Sequence, residues 1–183
     1  IAVKLFDNSM QGCSDEQLQH EFDTLMMLKH PNIVRIVGYC YETQRQHLEF
    51  HGRTVFGGTT YRVLCFEYMR MGSLQRHLSG MMLYLLCKQK WLPLFSVHTI
   101  SICLFADESS GLDWPTRYKI IKGTCEGLKY LHEGLKESLY HLGLNPDNIL
   151  LDENMIPKLI DFGSAKIFDE ELTRVTQSRW GTM

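Results

Sequence analysis

The chain has 183 residues, is 44% hydrophobic and 22% charged, and carries a formal net charge of −2. That is enough for one ordinary domain with a real core, with no basic excess for nucleic acid and no run of like charge to serve as a binding tail. Its six cysteines (Cys13, Cys40, Cys65, Cys87, Cys103, Cys125) are scattered without a C-x-x-C pair, which argues against a disulfide framework or a zinc site and fits a reducing compartment.

The sequence opens on Ile1-Ala2-Val3-Lys4 with no initiator methionine and no signal peptide, and both ends read as cut. Residues 1–6 are apolar and β-prone, interrupted by Lys4, and read as a strand. Ser14-Asp15-Glu16-Gln17 resembles a capping box. Leu18, Phe22, Leu25 and Met26 then recur at helical spacing. Glu21 falls on or beside the buried face of that helix, where a carboxylate needs a cationic partner.

Residues 33–41 and 61–68 read as strands, with the polar, glycine-bearing 44–60 as a long hairpin loop between them. Residues 73–79 read as a short helix. Residues 115–133 read as a longer one, with Pro115 near its start and Ile120, Ile121, Thr124, Leu128 and Leu131 on one face. Short strands are expected at 148–151 and 158–160, around the turn-rich tip Asp152-Glu153-Asn154. Residues 80–106 break this pattern. Lys88-Gln89-Lys90 divides an apolar stretch, so no run of ~20 apolar residues is available to span a membrane.

Two segments carry chemistry in a recognisable order. His141-Leu142-Gly143-Leu144-Asn145-Pro146-Asp147-Asn148 is followed by Asp161-Phe162-Gly163, and Ala2-Val3-Lys4 and Leu64-Cys65-Phe66-Glu67-Tyr68-Met69 lie upstream. In this order and spacing the chain resembles a plant receptor-like Ser/Thr protein kinase over nearly its whole length except 80–106. The resemblance implies a lysine, Lys4, that holds the α- and β-phosphates of ATP, and a helix glutamate, Glu21, that holds the lysine. It implies that Ala2, Glu67, Met69 and Leu150 belong to the nucleotide site, with Phe66 guarding the pocket behind the adenine. It implies that Asn148 and Asp161 coordinate Mg2+, a hard cation that takes oxygen ligands, and that His141 and Phe162 pack internally.

Three departures from the family pattern stand out. Gly143 occupies the position of the catalytic aspartate, and Asn145 that of the catalytic-loop lysine. Leu142 replaces the arginine that often binds a phosphorylated activation loop. Loss of a general base typically costs ~10²- to 10⁴-fold in rate; Asp147 and Asp152 are near in sequence, but neither holds the base position. The glycine-rich lid would precede Ile1, and the remaining large-lobe helices would follow Met183. Residues 80–106 interrupt an otherwise smooth family-like join of Ser79 to Asp107 and read as an insertion or retained non-coding segment.

The expected fold is α+β, an incomplete protein-kinase-like two-lobe fold. Residues 1–69 would form a partial small lobe to the hinge, and 70–183 a partial large lobe with 80–106 inserted. The expected function is that of a kinase-domain fragment with impaired catalysis. The alternatives are a pseudokinase-like module engaging another kinase or receptor, and a product without function. Expected ligands are ATP and Mg2+, with no nucleic acid and no membrane span. The expected location is cytoplasmic, as the cytosolic domain of a family anchored in the plasma membrane. Thr173, Thr176, Ser178 and Thr182 are candidate phosphorylation positions.

Overall fold

The computed structural model describes residues 1–6, 15–50, 53–78 and 112–167. The chain divides into two compact units, Ile1–Leu28 with Arg35–Tyr68, and Lys29–Val34 with the described part of Met69–Met183. The insertion read at 80–106, the Ser14 cap position and the candidate phosphorylation positions lie outside the described residues.

The first unit is an antiparallel sheet with one helix. Strands β1 (Ala2–Phe6), β2 (Ile36–Phe50) and β3 (Arg53–Phe66) lie in the order β1-β3-β2, and α1 spans Asp15–Met27. β1 alternates, with Ile1, Val3 and Leu5 exposed and Phe6 buried. Residues i and i+2 share a strand face, so Ala2, Lys4 and Phe6 lie together, opposite Phe66, Leu64 and Arg62 in the register. Leu64 and Phe66 are buried there. From α1, Leu18, Glu21, Thr24 and Leu25 are buried, at the i, i+3, i+6, i+7 spacing of one helix face.

The loop expected at 44–60 is a correction. β2 and β3 pair continuously from Gly38↔Cys65 to Phe50↔Arg53, with a register shift only between Ile36 and Gly38. Among the described residues of this stretch, Gln44, Arg45, His47, Glu49 and Gly58 are exposed, so its polarity accompanies regular strand backbone. β1 pairs only with Arg62–Phe66, so the rest of the hairpin is a two-stranded ribbon, and polar residues such as Thr43 and Thr60, whose hydroxyls meet at 3.0 Å, suit it. The strand expected at 33–41 starts later, at Ile36. Ile33 instead makes a parallel bridge to Leu159, and the Val34 N–H donates to the Leu159 carbonyl at 2.9 Å.

The second unit centres on α2 (Trp114–Glu133). Asp113 caps it by accepting from the Thr116 N–H at 3.0 Å, and Pro115 sits in the first turn where its missing N–H costs nothing. Arg117, Ile120, Thr124, Gly127, Leu128 and Leu131 form its buried face. That face packs on β7 (Pro157–Leu159), which pairs with β6 (Ile149–Leu151), itself paired with β4 (Gly72–Ser73). The short helix expected at 73–79 is one turn of 3-10 helix, Leu74–His77, because Ser73 is used in β4. A further small pair, β5 (Leu139–Tyr140) and β8 (Lys166–Ile167), was not legible at two residues a strand.

Two glycines of α2 allow a close approach. A Cβ at Gly123 would lie 2.6 Å from Asn32 Nδ2 and 2.7 Å from Pro157 Cγ. Asn32 exploits that closeness: its Nδ2 donates to the Pro157 carbonyl at 2.9 Å, and its own carbonyl accepts from the Leu159 N–H. Asn32 is thus a buried latch between the 29–34 segment, α2 and β7. Sequence reading passed over it, and the signal was the small-residue pair Gly123 and Gly127, one helical turn apart.

Candidate functional site

Two sets of side chains matter, one in each unit. In the first, Lys4 Nζ lies 2.7 Å from Glu21 Oε2 and 3.0 Å from Oε1. The carboxylate is 1% exposed while the Lys4 side chain is 35% exposed. The anion is therefore the more buried member of the pair. Glu67, just past β3, is tied to Arg35. Its N–H donates to the Arg35 carbonyl at 3.0 Å, and its side chain accepts from the Arg35 N–H at 2.8 Å. Both the N–H and the side chain of Glu67 are thus committed to Arg35. Ala2 is half-buried and faces Phe66 in the register.

The second set is built on the loop between β5 and β6. His141 is 2% exposed and sits 4.8 Å from the Phe162 ring. Its Nε2 lies 3.0 Å from the Ile160 carbonyl, and its Nδ1 accepts from the Gly143 N–H at 3.2 Å. One neutral tautomer, with the proton on Nε2, satisfies both contacts. Burial pushes the His141 pKa below its ordinary value, with the Ile160 bond and nearby Asp161 opposing, which agrees with a neutral ring.

Gly143 is held entirely by its backbone. Its N–H donates to the His141 carbonyl at 2.8 Å as well as to Nδ1, and its carbonyl accepts from Asn148 Nδ2 at 2.8 Å and Asn145 Nδ2 at 3.3 Å. A Cβ built there would meet nothing closer than 3.7 Å. The loop therefore keeps its shape with no side chain at 143, and it leaves room for one.

Asn145 has taken up a structural task. Its Oδ1 accepts from the Asp147 N–H at 2.9 Å and the Asn148 N–H at 3.0 Å, capping the 3-10 turn Pro146–Asn148. Asp147 is exposed, with Ser73 Oγ 3.4 Å from its Oδ1. Asp152 Oδ1 accepts from the Asn154 and Ile156 N–H groups, so it is committed to its own turn. Sequence reading missed this capping role of Asn145, although asparagine before proline is a turn signal.

Asn148 and Asp161 meet. Asn148 Nδ2 lies 3.5 Å from Asp161 Oδ2, and the Ile160 N–H donates to the Asn148 carbonyl at 3.1 Å. With Nδ2 donating, the Asn148 Oδ1 is the atom that can ligate a cation. One amide oxygen beside one carboxylate suits Mg2+, which prefers oxygen ligands and retains water. Among the described residues no group of three or more His, Cys, Asp or Glu side chains could hold a metal, so this pair needs water or phosphate oxygens to complete a shell.

Asp161 has φ 69° and ψ 71°, and Leu142 has φ 54°. Left-handed backbone is tolerable for aspartate and uncommon for leucine. Each residue in such a region costs on the order of 1–3 kcal/mol, and such residues cluster at functional sites. Phe162, fully buried, turns inward while Asp161 stays half-exposed. Pairing of β5 with β8 anchors the chain after Gly163. Met69 is buried, and its carbonyl accepts from the Gly72 N–H at 3.1 Å, leaving its N–H as the group it can offer a ligand; Leu150 is half-buried opposite Ser73 in β6.

An antiparallel sheet whose lysine pairs with a helix glutamate, and a loop-and-turn unit that sets an asparagine beside an Asp-Phe-Gly aspartate, define a kinase-like protein. The chain belongs to the protein kinase domain family, which matches residues 1–183. It is 30% identical over 184 residues to a G-type lectin S-receptor-like serine/threonine-protein kinase of Arabidopsis thaliana, covering all of this chain and 16% of that protein. A second G-type lectin S-receptor-like serine/threonine-protein kinase is 35% identical over 188 residues, with 17% of its length covered. A probable LRR receptor-like serine/threonine-protein kinase is 30% identical, with 14% covered. All three are Arabidopsis proteins, and the chain spans only that fraction of each. No helix among the described residues is long and apolar enough to cross a membrane.

Proposed function

We propose that this chain is a nucleotide-binding kinase domain with impaired phosphoryl transfer. Lys4, held by Glu21, would take the α- and β-phosphates of ATP. Asn148 Oδ1 and the Asp161 carboxylate would hold Mg2+. Ala2, Glu67, Met69 and Leu150 are the positions that the family resemblance assigns to the nucleotide. Bound Mg2+ would supply charge neutralisation at the phosphates. On the chain's side, Asn148 and Asp161 orient that charge, and the neutral His141 fixes the loop.

The single observation that carries the reading is Gly143. The backbone there is fully hydrogen-bonded and the surrounding loop is formed, yet no carboxylate stands where the family places the base that accepts a substrate hydroxyl proton. Asp152 is engaged in its own turn, so it supports no rescue. Binding without efficient transfer would make the chain a scaffold that engages another kinase or receptor on the cytosolic side of a membrane-anchored protein. The serine/threonine preference follows from the relatives' names.

The test is phosphoryl transfer from ATP by the chain and by Gly143→Asp, with Mg2+-dependent thermal shift by ATP measured on both. Expected is a shift in both proteins, and a rate for Gly143→Asp higher by about 10²- to 10⁴-fold. Efficient transfer by the unchanged chain, abolished in Asp161→Ala, would overturn impairment. No shift in either protein would overturn nucleotide binding.

A further inference from the structure

The hairpin of β2 and β3 runs past the three-stranded part of the sheet. β1 pairs with Arg62–Phe66 alone, and the β2 partners of that stretch end at Tyr41. From Glu42 to Phe50, β2 continues in a two-stranded ribbon, paired on one side with Arg53–Tyr61. β2 is the outermost strand in the order β1-β3-β2, so no described strand pairs with its other edge. A strand edge offers a row of backbone donors and acceptors to any strand laid beside it.

Side-chain charge decides what can lie there. Successive strand residues alternate between faces, so Arg45, His47 and Glu49 share one face, and all three are exposed. Glu42 is exposed on the opposite face. Arg45 and Glu49 stand symmetrically about His47, with opposite charge. Gly58, directly across the hairpin from Arg45, carries no side chain to engage it.

A strand with this pattern is complementary to itself. A second copy related by a two-fold axis perpendicular to the sheet runs antiparallel to the first and presents the same faces. Odd-numbered residues then meet odd, and even meet even. An axis at His47 sets Arg45 opposite Glu49 of the partner subunit, and Glu49 opposite the partner's Arg45. An axis at Glu42, Arg45 or Glu49 sets a charge against its own copy, and no other axis along β2 sets opposite formal charges face to face. Opposite charges directly across two strands stabilise the pair and like charges weaken it. The edge charges therefore select one register as well as discouraging the others.

We propose that β2 pairs edge to edge with β2 of a second copy, antiparallel over residues 44–50, with His47 at the two-fold axis and two reciprocal Arg45–Glu49 ion pairs. The contact is isologous, so it closes at a dimer. One short strand pair buries little surface, so the dimer exchanges readily with monomer. No residue of the proposed nucleotide site takes part, and the pairing stands whether or not ATP binds.

The test is sedimentation velocity of the whole chain without nucleotide, over a roughly hundredfold range of concentration. A reversible monomer–dimer equilibrium is expected. Arg45→Glu and Glu49→Arg each turn two attractive contacts into repulsive ones, and each should weaken self-association by about tenfold or more. Both positions are exposed in the ribbon, and far-UV circular dichroism checks that the variants keep the fold. Mixing the two variants should restore a dimer, because both contacts are attractive in the mixed pair. In the unchanged chain, amide exchange at 44–50 should slow as the dimer forms, while exchange in α2 should not. A monomer at every concentration would overturn the proposal. So would a dimer as tight in Arg45→Glu as in the unchanged chain, a mixture of the two variants that fails to associate, or a dimer whose 44–50 amides exchange as fast as the monomer's.

Discussion

Asn148 Nδ2 donates to the Gly143 carbonyl at 2.8 Å, joining the residue proposed to hold a metal to the glycine proposed to stand at the base position. The bond uses no side chain at 143. The shape of the loop and the chemistry of position 143 are therefore separable, and a substitution at 143 changes the second without the first.

Position 145 is different, because Asn145 caps the turn that delivers Asn148. Asn145→Lys would bring back a cation and lose that cap. Loss of an N-cap side chain costs about 1 kcal/mol. The double change Gly143→Asp with Asn145→Lys should therefore be less stable than Gly143→Asp alone by about that amount in urea. Equal stabilities would show that the cap contributes nothing.

The Lys4–Glu21 pair is asymmetric. Removing the ammonium strips a partner from a carboxylate that is 1% exposed, whereas removing the carboxylate leaves a lysine whose side chain is 35% exposed. Breaking a buried pair costs about 3–5 kcal/mol, with partial exposure lowering the figure. Lys4→Met should destabilise by roughly 3 kcal/mol and by more than Glu21→Gln. Chemical denaturation of the two variants checks the order, and a larger loss in Glu21→Gln would contradict it.

Gly123 should not tolerate alanine. In an exposed helix, Gly→Ala gains about 1 kcal/mol. Here the new methyl would meet Asn32 and Pro157 at distances that real Cβ atoms do not show, so overpacking should reverse the sign to a loss of about 1–3 kcal/mol. Cys125→Ala, exposed on the same helix, is the control and should be nearly neutral. A thermal melt of each variant decides it.

Acid should destabilise the second unit before its carboxylates titrate. His30, His132 and His141 all have pKa values lowered from the ordinary 6.5, chiefly by burial. Each lies against an aromatic ring, Tyr130, Tyr140 and Phe162 respectively. Their lowered values mean that the unfolded chain binds more protons just below pH 6.5. Stability from them is complete above about pH 6.5 and falls as pH drops toward the folded values. Melting temperature should decline between about pH 7 and pH 5.5. A flat profile there would mean these rings are as readily protonated in the fold as out of it.

How much was legible follows from the physical range of each signal. Ala2-Val3-Lys4, His141 to Asn148 and Asp161-Phe162-Gly163 are local words, and their order identified the family. The 115–133 helix was legible because a capped, amphipathic 20-residue element carries its own pattern. The 44–60 ribbon was not, since its polar, glycine-bearing sequence has no hydrophobic alternation to read. Asn32 was not, because its partners Pro157 and Leu159 lie more than a hundred residues away.

The sequence by itself determined the kinase family, the glycine at position 143 and the presence of Lys4, Glu21, Asn148 and Asp161. Those are facts of residue type, fixed at translation. Only the tertiary structure decided that Lys4 is the less buried member of its pair with Glu21, that Asn145 caps a turn, and that the backbone at Gly143 is held without a side chain. Such roles depend on which groups folding removes from water and which hydrogen bonds then remain to be made.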